Sequence, residues 1–165
     1  MKRKTLMRMM MDKPIAMESD LTGQLVKIYH TNAIGTTPVV PFFLKHYARL
    51  IEDGYAHPVM VSTNKSKAVY VTINDEVAGH IVYEIQDDLY KTTWIYFSCV
   101  EDKFRKRGLY KIMHRHLENV VKKAGSVKIA SFVHVDNIVR QKSCEAVGLK
   151  PFYYRMEKDL YGTEV

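Results

Sequence analysis

Apolar positions recur along the chain with two different periods. Residues 15–17 form a short apolar segment that reads as a first strand. Leu21, Leu25, Ile28 and Tyr29 then fall on the spacing of one helical face, which predicts a helix over 21–29. After a loop at residues 35–38, Val40, Phe43, Leu44, Tyr47, Leu50 and Ile51 make a second helical stripe, and Gly54 is placed to end it. From Val69 the period shortens. Residues 69–73 are β-branched and aromatic, Asn74-Asp75 reads as a hairpin turn, and residues 77–85 alternate from face to face. Residues 92–100 (TTWIYFSCV) are apolar enough to predict a strand buried on both faces. Leu109, Ile112, Met113, Leu117, Val120, Val121 and Ala124 restore the helical period up to Gly125. A strand over 127–135, a helix over 137–147 stopped by Gly148 and an extended segment over 152–160 complete the order β-α-α-β-β-β-α-β-α-β. Mixed order of this kind predicts an α+β fold with one parallel pairing across the long helix.

Composition adds a bound and a question. At 165 residues with 47% apolar content, the chain suits one domain with a real core. It contains no repeat and no Pro-, Gly- or Ser-rich linker, so residues 13–165 read as that domain and residues 1–12 as a basic, Met-rich tail or an extra edge strand. Two isolated cysteines, Cys99 and Cys144, fit reduced thiols. No apolar stretch is long enough to span a membrane, and no apolar signal region follows the basic start. A cytoplasmic location without membrane association is the expectation.

The net charge of +7 suggests a polyanionic partner, and its distribution narrows the choice. Lys2, Arg3, Lys4, Arg8 and Lys13 against Asp12 give residues 1–13 a balance of +4. Lys103, Arg105, Lys106, Arg107, Lys111 and Arg115, with no acid among them, give residues 103–115 a balance of +6, so the rest of the chain sums to −3. Nucleic-acid surfaces spread their charge more widely. The second window instead crowds basic residues where a strand ends and a helix begins. Free N–H groups and the helix dipole favour an anion there, and they disfavour cations unless an external anion compensates them. Gly108 permits close backbone approach. The stretch reads either as a diphosphate cradle or as an exposed turn whose cations face water.

The junction resembles motif A of the GNAT superfamily (Gcn5-related N-acetyltransferases), Q/R-x-x-G-x-G/A, with Arg105 first and Gly108 central; Tyr110 departs from the usual small last residue. Asn137, Glu145 and Gly148 are similar to the family's N-x(6)-Y-E-x-x-G-F pattern, with Cys144 where Tyr is common and Leu149 in place of Phe. Residues 152–160 also look like the family's last strand. This resemblance, over about residues 13–160, implies a GNAT-like fold: a mixed, mostly antiparallel sheet with flanking helices, splayed between residues 94–100 and 127–135 to admit acetyl-CoA.

Carried onto this sequence, the resemblance implies that Ser98, Cys99 and Val100 pair with the pantetheine arm. The backbone N–H groups of Arg105, Lys106, Arg107, Gly108, Leu109 and Tyr110 would hold the diphosphate. Lys106, Lys111 or Arg140 would reach the adenosine 3′-phosphate, and Asn137 would bond the pantetheine. It implies direct attack of a neutral amine on the thioester, with a backbone N–H near Cys99 holding the oxyanion. Base candidates are Glu84, His134 or an ordered water. Cys144, or Tyr153 or Tyr154 in its stead, is the candidate acid. No metal is implied. The acceptor is a small-molecule or protein amine, and a homodimer is compatible with the chain. Two other readings stay open: a GNAT-like binding protein without chemistry, and an acyltransferase directed to nucleic acid by the basic N-terminus.

Overall fold

A buried carboxylate decides how the sheet begins. In the computed structural model, which describes residues 13–55, 62 and 64–152, Asp20 sits at a tight turn. Its Oδ1 accepts from the Thr22 N–H at 2.8 Å, the Thr22 hydroxyl at 2.6 Å and the Gln24 N–H at 3.1 Å. Gly23 supplies the left-handed residue of that turn, with φ +81°. The turn joins β1 (Ala16–Ser19) to β2 (Leu25–Thr31) as an antiparallel hairpin, with Ala16 opposite Ile28. The expected strand at 15–17 is present in part. The helix expected over 21–29 is not formed. Both faces of β2 are buried, with Val26 and Ile28 on one side and Tyr29 on the other, so its apolar positions do not alternate and mimic a helical face.

Past a 3₁₀ turn at Ile34–Thr36 comes α1 (Val39–Glu52). Pro41 lies in its first turn, where no intrahelical N–H is required. Strands β3 (Lys67–Ile73) and β4 (Glu76–Ile85) are joined through Asn74 and Asp75 at φ +52° and +62°, a tight hairpin as expected. Then come β5 (Thr93–Val100), a 3₁₀ turn at Asp102–Phe104, α2 (Leu109–Lys123), β6 (Ile129–Ser131) and α3 (Ile138–Glu145), which Asn137 caps by accepting from the Arg140 N–H at 3.0 Å. The strands lie in sequence order in one sheet, antiparallel through β5, with β6 parallel to β5. One face packs on α2 through Val26, Val69, Tyr83, Ile95, Leu109, Met113 and Leu117. The other packs Tyr29, Tyr70, Val82 and Phe97 against Val39 and Phe43 at the start of α1.

Two strands differ from expectation, and both differences open the same gap. The strand expected over 127–135 pairs only through Ile129–Ser131, because the chain leaves the sheet after Ser131. Consequently β5 is not buried on both faces: Tyr96 is exposed, and Trp94, Ser98, Cys99 and Val100 are half-buried. The expected tail or edge strand at 1–12, and Tyr153 with the rest of the expected last strand, lie outside the described residues.

The hairpin is tied to the start of α2. Arg107 donates to Asp20 Oδ2 through Nε at 2.6 Å, and to Gln24 Oε1 and Thr22 Oγ1 at 2.6 and 3.0 Å. Burial opposes ionisation of Asp20, but the bonds from Thr22, Gln24 and Arg107 outweigh it and hold the carboxyl below its ordinary range. A carboxylate with a depressed folded pKa stabilises the fold above its unfolded pKa, and that contribution fades as pH falls through the folded value. Asp20→Asn should therefore lower the free energy of unfolding by about 2 kcal/mol at pH 7, read from urea midpoints, and the gap from wild type should close as pH falls below 3.8.

Candidate cofactor cleft

The cleft begins where β5 loses a neighbour. β4 pairs with it from Thr93 to Val100, whereas β6 pairs only with Thr93, Trp94 and Ile95. The register with β4 skips Tyr96, since Val82 faces Phe97 and Tyr83 faces Ile95. Such a bulge reverses which peptides point to which side. The Glu101 N–H bonds to the Ala78 carbonyl at 2.9 Å, so by strand alternation the Ser98 and Val100 peptides face away from β4 and the Cys99 peptide faces toward it. The cleft-facing N–H groups thus belong to Ser98 and Val100, the two neighbours of Cys99. A cavity of about 1630 Å³ opens along this edge, bounded by residues 97–100, the start of α2 and residues 131–140.

Gly108 sets the start of α2. Its φ is +77°, its carbonyl accepts the first intrahelical bond from the Ile112 N–H at 3.1 Å, and a Cβ there would lie 3.1 Å from Leu21. The N–H groups of Leu109, Tyr110 and Lys111 therefore lack helical acceptors, as at any helix start. Lys106, two residues earlier, also adopts positive φ, at +61°.

The basic window is largely neutralised from within. Lys103 pairs with Glu76 at 2.6 Å, Arg105 with Asp102 at 2.7 Å and Arg107 with Asp20 at 2.5 Å, and Arg115 pairs with Glu18. The six cations are thus not all awaiting an external anion. Arg105 lines the cavity but is folded back on Asp102 and the Val100 carbonyl, the latter at 3.3 Å. The Arg107 side chain faces the hairpin and does not line the cavity. Lys106 and Lys111 have no acidic partner among the described residues, and both border the cavity, as does Arg140.

The opposite wall carries the candidate chemistry. Glu84 of β4 lines it and accepts from the Ser66 hydroxyl at 2.7 Å. His134 lines the rim, its Nδ1 3.2 Å from the Asp136 N–H and its ring 5.6 Å from that of Tyr55. Cys144 is buried on the inner side of α3, off the cavity wall, and burial pushes its thiol pKa up; this placement does not suit the acid role expected of it. Burial likewise pushes Cys99 up to about 11. Both cysteines are free.

Two histidines were not singled out from the sequence. His46 of α1 lines the cavity, almost fully buried, with Nε2 3.2 Å from Glu101 Oε2. Burial opposes ionisation of Glu101, but Lys45 and His46 outweigh it and keep the carboxyl pKa low. The signal available was a histidine within the apolar stripe of Phe43, Tyr47 and Leu50. His80 lies behind that wall, fully buried, its ring 5.3 Å from Phe97 and 5.1 Å from Phe42. Burial, with His46 beside it, brings its pKa down to about 3, so it is a neutral packing residue at physiological pH.

The family model for the acetyltransferase (GNAT) family matches residues 30–148. None of the curated proteins matches the chain. Among solved structures, Bacillus subtilis YycN superposes with a TM-score of 0.63 at 18% identity, covering 81% of this chain and 99% of that one. An aminoglycoside acetyltransferase from an uncultured soil metagenomic sample, in complex with sisomicin, gives 0.61 at 12% identity over 80% and 97% of the two chains. Aminoglycoside N-acetyltransferase AAC(6′)-Iy in complex with CoA gives 0.58 at 15% over 90% and 98%. These likenesses carry the fold; the family match, spanning more than half of the chain, carries membership, and the protein belongs to the GNAT acetyltransferase family.

Proposed function

We propose that the protein moves an acetyl group from acetyl-CoA to a primary amine by direct attack. The observation that carries this reading is the continuity of an unpaired strand edge with a helix start rich in free N–H groups, both facing one cavity. The residues present fit the cofactor. The Ser98 and Val100 peptides offer strand-like bonds to an extended amide arm, and the N–H groups at the start of α2 offer bonds to a diphosphate. Lys106 and Lys111 are available to phosphate oxygens, and the free amide NH₂ of Asn137 is available to the arm.

When bound, acetyl-CoA supplies a thioester carbonyl for the amine to attack. A β5 N–H facing the cleft would stabilise negative charge on that carbonyl oxygen. Glu84, held by Ser66, would take a proton from the substrate ammonium, directly or through water, so that the neutral amine attacks and the C–S bond breaks with CoA leaving as its thiolate. A proton-accepting carboxylate on the wall suits a cationic small amine, the class to which the aminoglycosides of two structural neighbours belong. Neither thiol suits a covalent relay: Cys99 is held protonated far above neutral pH, and Cys144 is off the wall. The free thiols also suit a reducing, cytoplasmic setting.

Saturating acetyl-CoA should raise the melting temperature by several degrees, since binding at 100 times Kd adds about 2.7 kcal/mol. Lys106→Glu with Lys111→Glu should weaken that binding at least tenfold by calorimetry, while Arg107→Ala lowers the melting temperature of the free protein and leaves Kd within about threefold; the reverse pattern would misplace the cradle. Glu84→Gln should lower kcat about a hundredfold with little change in KM for acetyl-CoA, and full activity would remove Glu84 as the base. Iodoacetamide should modify Cys99 slowly at neutral pH, with a rate still rising at pH 10; a plateau near pH 8 would reinstate a reactive thiol.

A further inference from the structure

Tyr110 and Cys144 are two of the three positions where this chain leaves its family's motifs, Leu149 being the third, and they meet in the seam between α2 and α3. Tyr110 is the second residue of α2, half-buried, with its hydroxyl sealed from solvent and without a well-formed hydrogen bond among the described residues. The Arg140 guanidinium lies over its ring, 4.7 Å from the centroid. Arg140 also reaches toward the Ser131 hydroxyl at 3.5 Å, so it bridges from the fork of the sheet to the first turn of α2.

No carboxylate pairs with Arg140 among the described residues, and its titratable neighbours in the seam are held uncharged. Burial raises the pKa of the Tyr110 phenol and of the Cys144 thiol, and it lowers that of His114, whose Nδ1 lies 3.1 Å from Glu118. The Glu118 carboxylate meets that far side of the imidazole and Lys122, not the guanidinium. The Arg140 guanidinium on the cavity wall therefore carries a positive charge with no ion-pair partner among the described residues. Beside it lie the free N–H groups of the α2 start, which attract the same kind of partner.

We infer that Arg140, held over the Tyr110 ring, is the cation that binds the diphosphate of CoA at the start of α2, and that Tyr110 is its positioning residue. This deepens the acetyl-CoA reading above and rests on it. It assigns the aromatic ring at 110 a use that a small residue there does not have. It also moves Arg140 from the adenosine 3′-phosphate to the diphosphate, since the ring that holds it belongs to the turn whose N–H groups face the diphosphate.

The test is calorimetric and independent of turnover, with CoA, dephospho-CoA (diphosphate kept, 3′-phosphate absent) and pantetheine (no phosphate) as probes. Wild-type protein that fails to bind CoA overturns both readings. If it binds, Arg140→Ala should weaken CoA and dephospho-CoA alike by roughly ten- to a hundredfold, as loss of a charge-assisted bond does, and leave pantetheine unchanged. Tyr110→Phe should bind within about twofold of wild type because the ring persists. Tyr110→Leu should lose as much as Arg140→Ala, and the double variant no more than either. Arg140→Lys, which keeps the charge and loses the planar guanidinium, should lose most of the affinity and gives the answer even if Tyr110→Leu unfolds. A loss seen with CoA and not dephospho-CoA, an equal loss with pantetheine, or full affinity in Arg140→Lys would each overturn the inference and leave the wild-type binding standing.

Discussion

An unpaired strand edge inside a sheet is the constraint on which the rest of this molecule depends. Backbone N–H and C=O groups withheld from both water and partners are costly, so a sheet that opens must offer its exposed edge to solvent or to a ligand. Here the opening is built by two local departures. The chain leaves the sheet after Ser131, and the register of β5 against β4 skips Tyr96. The first removes a neighbour, and the second turns the Ser98 and Val100 peptides toward the space so created. Stacking of Trp94 on Phe132, centroids 4.8 Å apart, packs the fork just where the strands diverge. The cavity is thus a consequence of strand pairing more than of side-chain choice.

The β1–β2 hairpin fixes the other end of the cleft from a distance in sequence. The Leu21 N–H bonds to the Arg107 carbonyl at 3.2 Å, Arg107 is held by Asp20, and Leu21 lies against Gly108. A turn more than eighty residues earlier therefore sets where the helix start presents its N–H groups. It also explains why so basic a segment is tolerated at a helix N-terminus. Cations there oppose the helix dipole, and in four of six cases an acid answers them: Glu76, Asp20 and Glu18 from other elements, and Asp102 from the adjoining turn.

Much of the architecture was legible because period and turn chemistry agreed. The stripe from Leu109 to Val121, the Asn74-Asp75 hairpin and the Asn137 cap each follow from local rules, and the expected mixed sheet with flanking helices is the one observed. Residues 21–29 misled because a strand buried on both faces has no alternation to display, while Leu25, Ile28 and Tyr29 happen to suit a helix. The charge of residues 103–115 was legible as a sum and not as a pairing: Asp20 and Arg107 meet only in three dimensions. Likewise the motif position of Cys144 does not show that it packs inward, off the cavity wall.

The two walls of the cleft differ in kind, and that difference governs what a sequence can reveal about each. One wall is made mainly of peptide groups: the edge of β5, and a helix start fixed by one glycine. Peptides are supplied by every residue, so this wall depends on strand pairing more than on particular side chains. The opposite wall is made of side chains: Glu84 held by Ser66, His46 against Glu101, and Tyr47 and Phe97 in edge-on contact at 5.7 Å. Each of these residues also packs α1 onto the sheet or satisfies a neighbour, so in the sequence it looks like ordinary core. The side chains of this wall therefore double as packing, and changing its shape requires α1 to be repacked together with it.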